Sequence, residues 1–270
     1  MHPRQQLDNT GIKPKRSFGQ NFLADDVHLK KIASLALALA ADPERTVVEM
    51  GAGLGALTHF LLEGGATVHA VERDRELVPL LRARFPDAAR LAVHEDNALT
   101  YPLDIVGFGG AICGNLPYHH ASELALRALY AWPKLGGACF LVQLEVGERM
   151  AAAPGNKDYG SLSVVLQSRF DVRLAHTVPK GAFWPVPEVD GGVVTFRALA
   201  SPRGAEHTLP DLERVVRAAF QQRRKTVRNG LKKLGVTDDT MGQAGIDPTS
   251  RAEDIEVAAW GRLAALVAAR

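Results

Sequence analysis

Apolar and polar positions along the first two thirds of the chain predict strands and helices in alternation. Short apolar runs with the length of buried strands occupy residues 46–50, 67–71, 91–94, 111–113 and 138–144. Apolar residues at helical spacing predict helices at about 25–41, 56–63, 75–84 and 121–130. Two later strands are expected at about 164–174 and 191–197, flanking a proline-rich loop at 178–188. This alternation predicts an α/β fold, with a parallel sheet that carries helices on both faces.

The pattern changes near residue 200. Residues 199–210 resemble a linker, and the sequence after them has the apolar spacing of helices alone. We therefore expect a large domain at 1–200 and a small all-helical domain at 205–270, a division that a chain of 270 residues can support. The polar residues 1–12 are expected to be loosely structured.

Basic residues are concentrated near the C-terminus, although the whole chain has a formal net charge of only +2. Residues 211–234 contain eight Lys or Arg and two acids, which gives 8 − 2 = +6. This uneven distribution indicates an anionic partner at that end of the chain. A solvated helix face is the commoner explanation of a charge run taken by itself, so the inference of an anionic partner needs support from other features.

The two cysteines, Cys113 and Cys139, form neither a disulfide framework nor a metal-binding spacing. Both lie in apolar strand-like runs, so we expect buried free thiols in a reducing compartment. The nine histidines show no metal-binding motif, and no metal is expected. No apolar run has the length of a membrane span, and the expected location is the cytoplasm.

A glycine-rich turn follows the strand at 46–50, where Gly51, Gly53 and Gly55 precede a helix. Glycine at such a turn permits a tight backbone and the close approach of a ligand. Glu72 ends the next strand about twenty residues on, the spacing at which a carboxylate binds a ribose diol. The arrangement predicts a cofactor that contains a nucleoside.

A dinucleotide is one such cofactor, but three details favour S-adenosylmethionine, which has an adenosine and no pyrophosphate. The glycines follow G-x-G-x-G, which is tighter than the pyrophosphate-binding G-x-G-x-x-G. A second acid, Asp96, ends the third strand, where a carboxylate can accept from an adenine amino group. The fourth strand ends in a motif that suits amine capture and not hydride transfer. Each acid taken alone is more commonly a solvated loop carboxylate, whereas two acids at successive strand ends are seldom coincidental.

The motif after the fourth strand is Gly-Asn-Leu-Pro-Tyr at residues 114–118. The side-chain oxygen of Asn115 and the backbone carbonyl of Leu116 can each accept one N–H from an amino group on a planar base. Pro117 restricts the residue before it and so aims the Leu116 carbonyl. Tyr118 offers a flat face on which a base can stack. On these five residues alone, an ordinary turn with a buried tyrosine is an equally good interpretation.

With further motifs, the chain resembles the ribosomal RNA adenine dimethyltransferases, and within them the bacterial branch that modifies the small subunit. The resemblance runs from about residue 13 to residue 262. Its motifs are 15–23 (KRSFGQNFL), 51–58 (GAGLGALT), Glu72, Asp96, 114–118, Tyr159-Gly160, Ala182-Phe183 with Pro185, Pro187, Val189 and Asp190, 219–229 (AFQQRRKTVRN) and 245–253 (GIDPTSRAE). The last two blocks are similar to the small-subunit branch, whereas dimethyltransferases of the large subunit share the first half.

The resemblance implies a Rossmann-like S-adenosylmethionine-dependent methyltransferase sheet with one antiparallel strand, together with a small helical C-terminal domain that binds RNA or the ribosome. It implies that S-adenosyl-L-methionine is the cofactor, and the residues expected to bind it are Asn21, Leu23, Gly51, Gly53, Glu72, Asp96 and Asn115. The implied substrate is a pair of adjacent adenosines in the 3′-terminal hairpin of 16S rRNA, each methylated twice at N6. We expect the partner to be an immature small ribosomal subunit, the role to include small-subunit biogenesis, and the protein to be a monomer.

Four residues are expected to capture the target base, and six to contact RNA phosphates. The base would be held by Asn115, Leu116, Tyr118 and Phe183. A core position is commoner for a lone phenylalanine such as Phe183, but the neighbouring prolines and the family motif favour base stacking. The phosphate contacts are expected from Lys13, Lys15, Arg16, Arg223, Arg224 and Lys225.

The sequence also departs from the family pattern. Leu144 stands where the family often has lysine, which puts an RNA contact there in doubt, and His119-His120 replace a more typical Asn-Ile pair. Two other functions stay open. One is dimethylation of large-subunit rRNA of the macrolide-resistance type, and the other is a ribosome-assembly factor that acts mainly by binding.

Overall fold

The computed structural model describes residues 2–8, 10–222 and 224–269, and for Arg16 and Tyr118 it describes the backbone alone. The chain forms two compact units. The first consists of Met1–Gly147 with Arg173–Ala198, and the second consists of Glu148–Val172 with Leu199–Arg270. Residues 148–172 therefore group with the C-terminal helices, on the other side of the expected boundary near residue 200.

The first unit is built on a sheet whose central strands are parallel. The strands of the described residues are β1 (Phe22–Leu23), β2 (Thr46–Met50), β3 (Thr67–Glu72), β4 (Leu91–Glu95), β5 (Ala111–Asn115), β6 (Gly137–Gln143), β7 (Phe170–Val178), β8 (Phe183–Trp184) and β9 (Gly191–Ala198). Seven strands form one sheet in the order β4-β3-β2-β5-β6-β9-β7, and β1 pairs with β8 separately. The pairings between β4 and β6 are parallel, whereas β9 is antiparallel to β6. The predicted α/β class and the Rossmann-like sheet with an antiparallel strand are confirmed.

Helices connect the parallel strands and make up most of the second unit. They are α1 (Pro3–Asp8), α2 (Asp26–Leu39), α3 (Ala56–Glu63), α4 (Leu77–Arg84), α5 (Ala121–Ala131), α6 (Leu144–Ala151), α7 (Ser161–Gln167), α8 (Leu209–Phe220), α9 (Val227–Leu231), α10 (Asp238–Gln243) and α11 (Val257–Ala268). Asp25 caps α2, because its Oδ1 accepts from the backbone N–H groups of Val27 (2.8 Å) and His28 (3.1 Å). None of the described helices is both long and apolar enough to cross a membrane.

The core of the first unit lies where α2 and α3 pack on the sheet. Helix α2 buries one apolar face, which includes Leu29, Ile32 and Ala36. Cys113 of β5 and Cys139 of β6 are register partners in this core, and both are buried free thiols as expected. Burial raises the pKa of both thiols, so they are inert apolar side chains at neutral pH.

The N-terminus is more ordered than its polar sequence indicates. Residues Pro3–Asp8 form helix α1, which corrects the expectation of a loose segment. Leu7 is buried in a small apolar cluster with Leu54 and Leu77. Local pattern cannot predict this helix, because a helix of six residues has little stability of its own and depends on tertiary docking.

The second unit has its own core around Trp260, whose side chain is fully buried. The strand expected at about 164–174 begins only at Phe170, because Ser161–Gln167 form helix α7. Val164 and Val165 favour a strand locally since both are β-branched. They are nevertheless buried in a helix that packs on α8, so tertiary packing overrides the local preference.

Candidate active site

A cavity lies at the edge of the sheet where the carboxyl ends of β2, β3, β4 and β5 meet. The order of the strands reverses between β2 and β5, and open α/β sheets bind ligands at such a point. The lining includes eight of the predicted site residues, namely Asn21, Leu23, Gly51, Gly53, Glu72, Asp96, Asn115 and Leu116. The fold thus brings the N-terminal segment together with the ends of four strands.

The glycine turn after β2 adopts the left-handed backbone that favours glycine. The angle φ is 77° at Gly51, 56° at Gly53 and 75° at Gly55. The backbone N–H of Gly51 donates to the carbonyl of Val71 at 2.8 Å. A Cβ atom at Gly53 would lie 3.1 Å from the ring of Phe22. Because glycine has no side chain, the turn stays narrow and its backbone atoms form the wall of the cavity.

Glu72, at the end of β3, is a buried carboxylate that also organises the turns around it. Its Oε2 accepts from the backbone N–H of Gly53 and its Oε1 from that of Asp74, both at 2.8 Å. Burial raises the pKa of Glu72, and the two backbone hydrogen bonds oppose that rise. Each oxygen keeps a lone pair that a ligand hydroxyl can use.

Asp96 follows β4 and is an exposed carboxylate on the cavity wall. Its backbone N–H donates to the carbonyl of Glu72 at 3.1 Å, which ties the two acid-bearing strand ends together. Arg127 of α5 donates to the carbonyls of Leu99 (2.6 Å) and Tyr101, and so holds the loop after Asp96. The sequence carries no signal for Arg127, because its partners are backbone carbonyls of a loop that only the fold brings near α5.

Glu49 of β2 is a second buried carboxyl group on the cavity wall, and sequence reasoning assigned it no role. Thr58 donates a hydrogen bond of 2.5 Å to its Oε2. Burial raises the pKa of Glu49 to about 8 despite that hydrogen bond. The signal that could have revealed it is an acid inside the apolar strand Thr-Val-Val-Glu-Met.

Asn115 has a defined amide orientation at the end of β5. Its Nδ2 donates to the backbone carbonyl of Asn21 at 2.8 Å. Because a carbonyl only accepts, the NH2 side of the amide must face Asn21 and Oδ1 must face away from it. Within the described part of the chain, no N–H or O–H donates to Asn115 Oδ1 or to the carbonyl of Leu116. Two neighbouring acceptors are therefore available at the cavity.

The N-terminal segment supplies six consecutive lining residues, at positions 18–23. Its last two residues form β1, which pairs with β8 in the register Phe22↔Trp184 and Leu23↔Phe183. The rings of Phe22 and Trp184 stack with centroids 6.5 Å apart. The segment is therefore a folded part of the cavity wall.

The structure corrects the expected role of Phe183. Its side chain is only 3% exposed and belongs to the apolar core with Leu23 and Leu141, and it does not line the cavity. The commoner core interpretation of a lone phenylalanine therefore holds. For Tyr118 the backbone lies in a short 3-10 turn after Pro117, and the side chain is outside the described residues.

The predicted phosphate-binding residues differ in their surroundings. Lys15 forms ion pairs with Asp74 (2.6 Å) and Glu76, which corrects the expectation that its charge is available to RNA. Arg224, Lys225 and Lys13 are exposed. The side chain of Arg16 and all of Arg223 lie outside the described residues.

Comparison with known sequences points to one family. The family model described as "Ribosomal RNA adenine dimethylase" matches residues 11–269. A protein of Anaeromyxobacter sp. (strain K), named "Ribosomal RNA small subunit methyltransferase A", is 40% identical over 97% of this chain and 96% of its own length. A protein of the same name from Syntrophotalea carbinolica is 41% identical over 94% of this chain and 97% of its own length.

Comparison with solved structures agrees on the fold. The 23S rRNA methyltransferase ErmE superposes with a TM-score of 0.69 at 25% identity, covering 92% of this chain and 100% of its own. A dimethyladenosine transferase from Plasmodium falciparum superposes with a TM-score of 0.75 at 21% identity, covering 90% of this chain and 95% of its own. The arrangement of strands described above is thus shared with RNA methyltransferases.

Proposed function

Because the chain belongs to the ribosomal RNA adenine dimethylase family, we propose that it dimethylates N6 of adenosines in small-subunit rRNA. Relatives named for the small subunit are about 40% identical to it over nearly its whole length, whereas the 23S rRNA enzyme is 25% identical. The observation that carries the chemistry is the pair of acceptors, Asn115 Oδ1 and the Leu116 carbonyl, at a cavity that also holds Glu72 and Asp96.

The residues of the cavity fit S-adenosylmethionine as the cofactor. Glu72 would bind the ribose hydroxyls and Asp96 the adenine amino group, with Asn21, Leu23, Gly51 and Gly53 along the wall. The narrow glycine turn suits a nucleoside without a pyrophosphate. The buried Glu49 suits a cationic ligand, because a nearby positive charge favours the ionised carboxylate. When bound, this cofactor supplies an electrophilic methyl group on a sulfonium.

The chain's own contribution to the chemistry is to prepare the amine. The lone pair of an adenine N6 is delocalised into the ring and is a poor nucleophile. Hydrogen bonds from N6–H groups to Asn115 Oδ1 and the Leu116 carbonyl favour a tetrahedral nitrogen with a localised lone pair. The same dipoles stabilise the positive charge that develops on nitrogen. The reaction then depends on positioning and needs no general base beforehand.

The RNA must present an unstacked adenosine, since a base within a helix cannot reach such a cavity. We propose that Lys13, Arg16, Arg223, Arg224 and Lys225 contact phosphates and supply most of the affinity. Tyr118 would stack on the flipped base. The proposed target is the pair of adjacent adenosines in the 3′-terminal hairpin of 16S rRNA within an immature small subunit, and four methyl groups are transferred in all.

We further propose that the first unit contains the methyltransferase machinery, and that the second unit, with residues 205–270, is a helical domain that binds RNA or the ribosome. We also propose that the protein acts as a monomer in the cytoplasm, where small subunits are assembled. These proposals rest on the family and on the charge of residues 211–234.

A substrate comparison tests the proposed target. The protein is incubated with labelled S-adenosylmethionine and with either unmethylated small subunits or naked large-subunit RNA. We expect label in N6,N6-dimethyladenosine of 16S rRNA. Label in the large-subunit RNA would instead support the macrolide-resistance type of activity. An inactive variant that restores small-subunit assembly in cells would show that binding carries the biological role.

The change Asn115→Ala tests the proposed mechanism. It removes one of the two acceptors, and that interaction strengthens in the transition state, so the loss should appear in kcat. We expect the single-turnover rate with both substrates saturating to fall by about 10²–10³-fold, as for other preorganised polar groups. Cofactor affinity is measured in parallel, and Asn156→Ala, an exposed asparagine of the second unit, is the control. A near wild-type rate in Asn115→Ala would remove this motif from the mechanism.

A further inference from the structure

Asp74 is a buried carboxylate that has no part in the cofactor and base contacts proposed above. It lies two residues after Glu72, and its side chain is 1% exposed. Its Oδ1 accepts from Lys15 Nζ at 2.6 Å, and its Oδ2 accepts from Gln20 Nε2 at 2.7 Å. Burial alone would raise the pKa of Asp74, but the hydrogen bonds from Lys15 and Gln20 outweigh it and hold the pKa below its ordinary value. The group is therefore an ionised carboxylate with charge-assisted partners.

Both of these partners belong to the N-terminal segment that walls the cavity. Lys15 and Gln20 are also joined directly, because the Lys15 backbone N–H donates to Gln20 Oε1 at 2.7 Å. Phe18, between them, lies under the guanidinium of Arg73, 4.2 Å from the ring centroid. Residues 15–23, which we call the N-terminal cover, are thus fastened at one end by Asp74 and at the other by the β1–β8 pairing.

The N-terminal cover is linked to the two groups on which the proposed chemistry depends, directly to Asn115 and through Asp74 to Glu72. The carbonyl of Asn21 fixes the amide of Asn115, as described above. Asp74 donates its own backbone N–H to Glu72 Oε1 at 2.8 Å. The carboxylate residue Asp74 therefore links Glu72, the proposed ribose-binding acid, to the N-terminal cover, which orients the amide of Asn115.

We propose that Asp74 is a positioning residue. With Lys15 and Gln20 it forms a latch that holds the N-terminal cover as a wall of the cofactor cavity and keeps the Asn115 amide aimed. This inference rests on the proposed function for the identity of the ligand, but the latch itself is a property of the free protein. Breaking it should loosen the cover at its Asp74 end, while the β1–β8 pairing still holds the other end, and should let the ligand leave faster.

The change Lys15→Met tests the latch without touching the cavity lining. It keeps the aliphatic length of the side chain and removes the ammonium group. Lys15→Arg is the conservative variant, which retains a cation for Asp74. Lys13→Met is the control, because it removes the same charge two residues away in the same segment, from an exposed side chain outside the Asp74 contacts.

Two measurements on RNA-free protein give the readout. The first is the dissociation rate of S-adenosylhomocysteine, and the second is hydrogen exchange of the backbone amides of residues 18–23 without ligand. We expect Lys15→Met to speed dissociation by about tenfold or more, as for loss of a charge-assisted hydrogen bond, and to raise exchange in the cover. Lys15→Arg should bring the dissociation rate and the exchange of the cover much of the way back to their wild-type values. Lys13→Met should match the wild type in both measurements.

The outcomes separate this inference from the proposed function. Unchanged dissociation and exchange in Lys15→Met would overturn the latch, whether or not the protein methylates rRNA. A Lys13→Met variant that behaves like Lys15→Met would also overturn it, since the effect would then be one of net charge. Latch-dependent binding without rRNA methylation would leave the latch standing and overturn the function. If the protein does not bind S-adenosylhomocysteine, the exchange measurement still decides the latch.

Discussion

At the scale of single residues, Glu49 shows how burial sets protonation in the cavity. Its carboxyl group has no basic side chain among its hydrogen-bond partners in the described chain, and Thr58 alone donates to it there. Burial raises the pKa of Glu49 to about 8, so the free protein holds a proton there at neutral pH. An acid whose pKa is raised on folding stabilises the fold fully below its unfolded value, and that stabilisation disappears as the pH rises through the folded value.

The sign of this linkage predicts the behaviour of Glu49→Gln. Between about pH 5 and pH 8 the unfolded wild type has lost the proton that the folded wild type keeps, so its free energy of unfolding should fall with pH. The introduced amide does not titrate, and its oxygen can still accept from Thr58. We expect the variant to gain stability relative to the wild type by up to about 1.4 kcal/mol per pH unit across this range. Urea unfolding of both proteins at several pH values, without cofactor, is the measurement, and parallel pH curves would contradict the assignment.

At the scale of secondary-structure elements, the site depends on how closely β2 and β5 approach. A Cβ atom at Gly114 would lie 2.3 Å from the carbonyl oxygen of Met50, and neither backbone can move without breaking the parallel pairing of these strands. Glycine at this position therefore sets the distance between the glycine turn after β2 and the proposed base-binding motif after β5. The Cβ position of Gly51 lies 4.0 Å from the carbonyl of Asn115, which shows how near the two turns are.

We expect Gly114→Ala to destabilise the protein by about 2 kcal/mol or more, because the clash is with backbone in the centre of a sheet. Cofactor affinity should fall as well, since both turns are displaced. Gly181→Ala is the matched control, because no atom of the described residues lies within 4 Å of its Cβ position. Denaturant midpoints and calorimetric binding are compared for the two variants. Equal stability of both would mean that β5 shifts easily and that the close approach is not required.

At the scale of the whole molecule, the proposed RNA affinity resides in charge that is unevenly distributed along the chain. Residues 211–234 carry 8 − 2 = +6, although the chain as a whole has a formal charge of +2. Arg224 and Lys225 are exposed, while Arg228 is paired with Asp238 and Arg214 with Asp211. Cations that are not already paired with an acid are the ones best able to release counterions when phosphate binds.

Changing Arg223, Arg224 and Lys225 together to Ala should lower affinity for small subunits and flatten its dependence on salt. Each lost phosphate contact should reduce the slope of log affinity against log salt by up to about 0.9. A second triple variant, Arg214→Ala with Lys232→Ala and Lys233→Ala, removes the same charge from the same unit and is the control. An equal loss of affinity in both triple variants would show that the effect is one of net charge. An unchanged salt slope in the variant of Arg223, Arg224 and Lys225 would show that these residues serve the fold or a protein surface.

The sequence alone determined the class of the fold and most of the candidate site. Buried parallel strands are short apolar runs, and their ends are marked by glycines, Glu72, Asp96 and Asn115, so local pattern is enough to place them. Strand β2 and helix α3 end where the pattern predicts, and six residues predicted at strand ends, Gly51, Gly53, Glu72, Asp96, Asn115 and Leu116, meet in one cavity. Asn21 and Leu23, which line the same cavity, were expected from the family resemblance and not from pattern. These features are local in sequence, because each is read from one strand and the turn that follows it.

The tertiary structure alone decided the features that depend on contacts between distant segments. Helices α1 and α7 exist because Leu7 and the pair Val164-Val165 find apolar partners, against the local signals. The sequence predicts a phosphate contact for Lys15, but the structure pairs it with Asp74. The sequence predicts a base-stacking face for Phe183, but the structure buries it in the core. The physical reason is the same in each case. A side chain's charge or apolar surface is visible in the sequence, but its partner is chosen by the fold, and the partner decides whether that side chain is free to act.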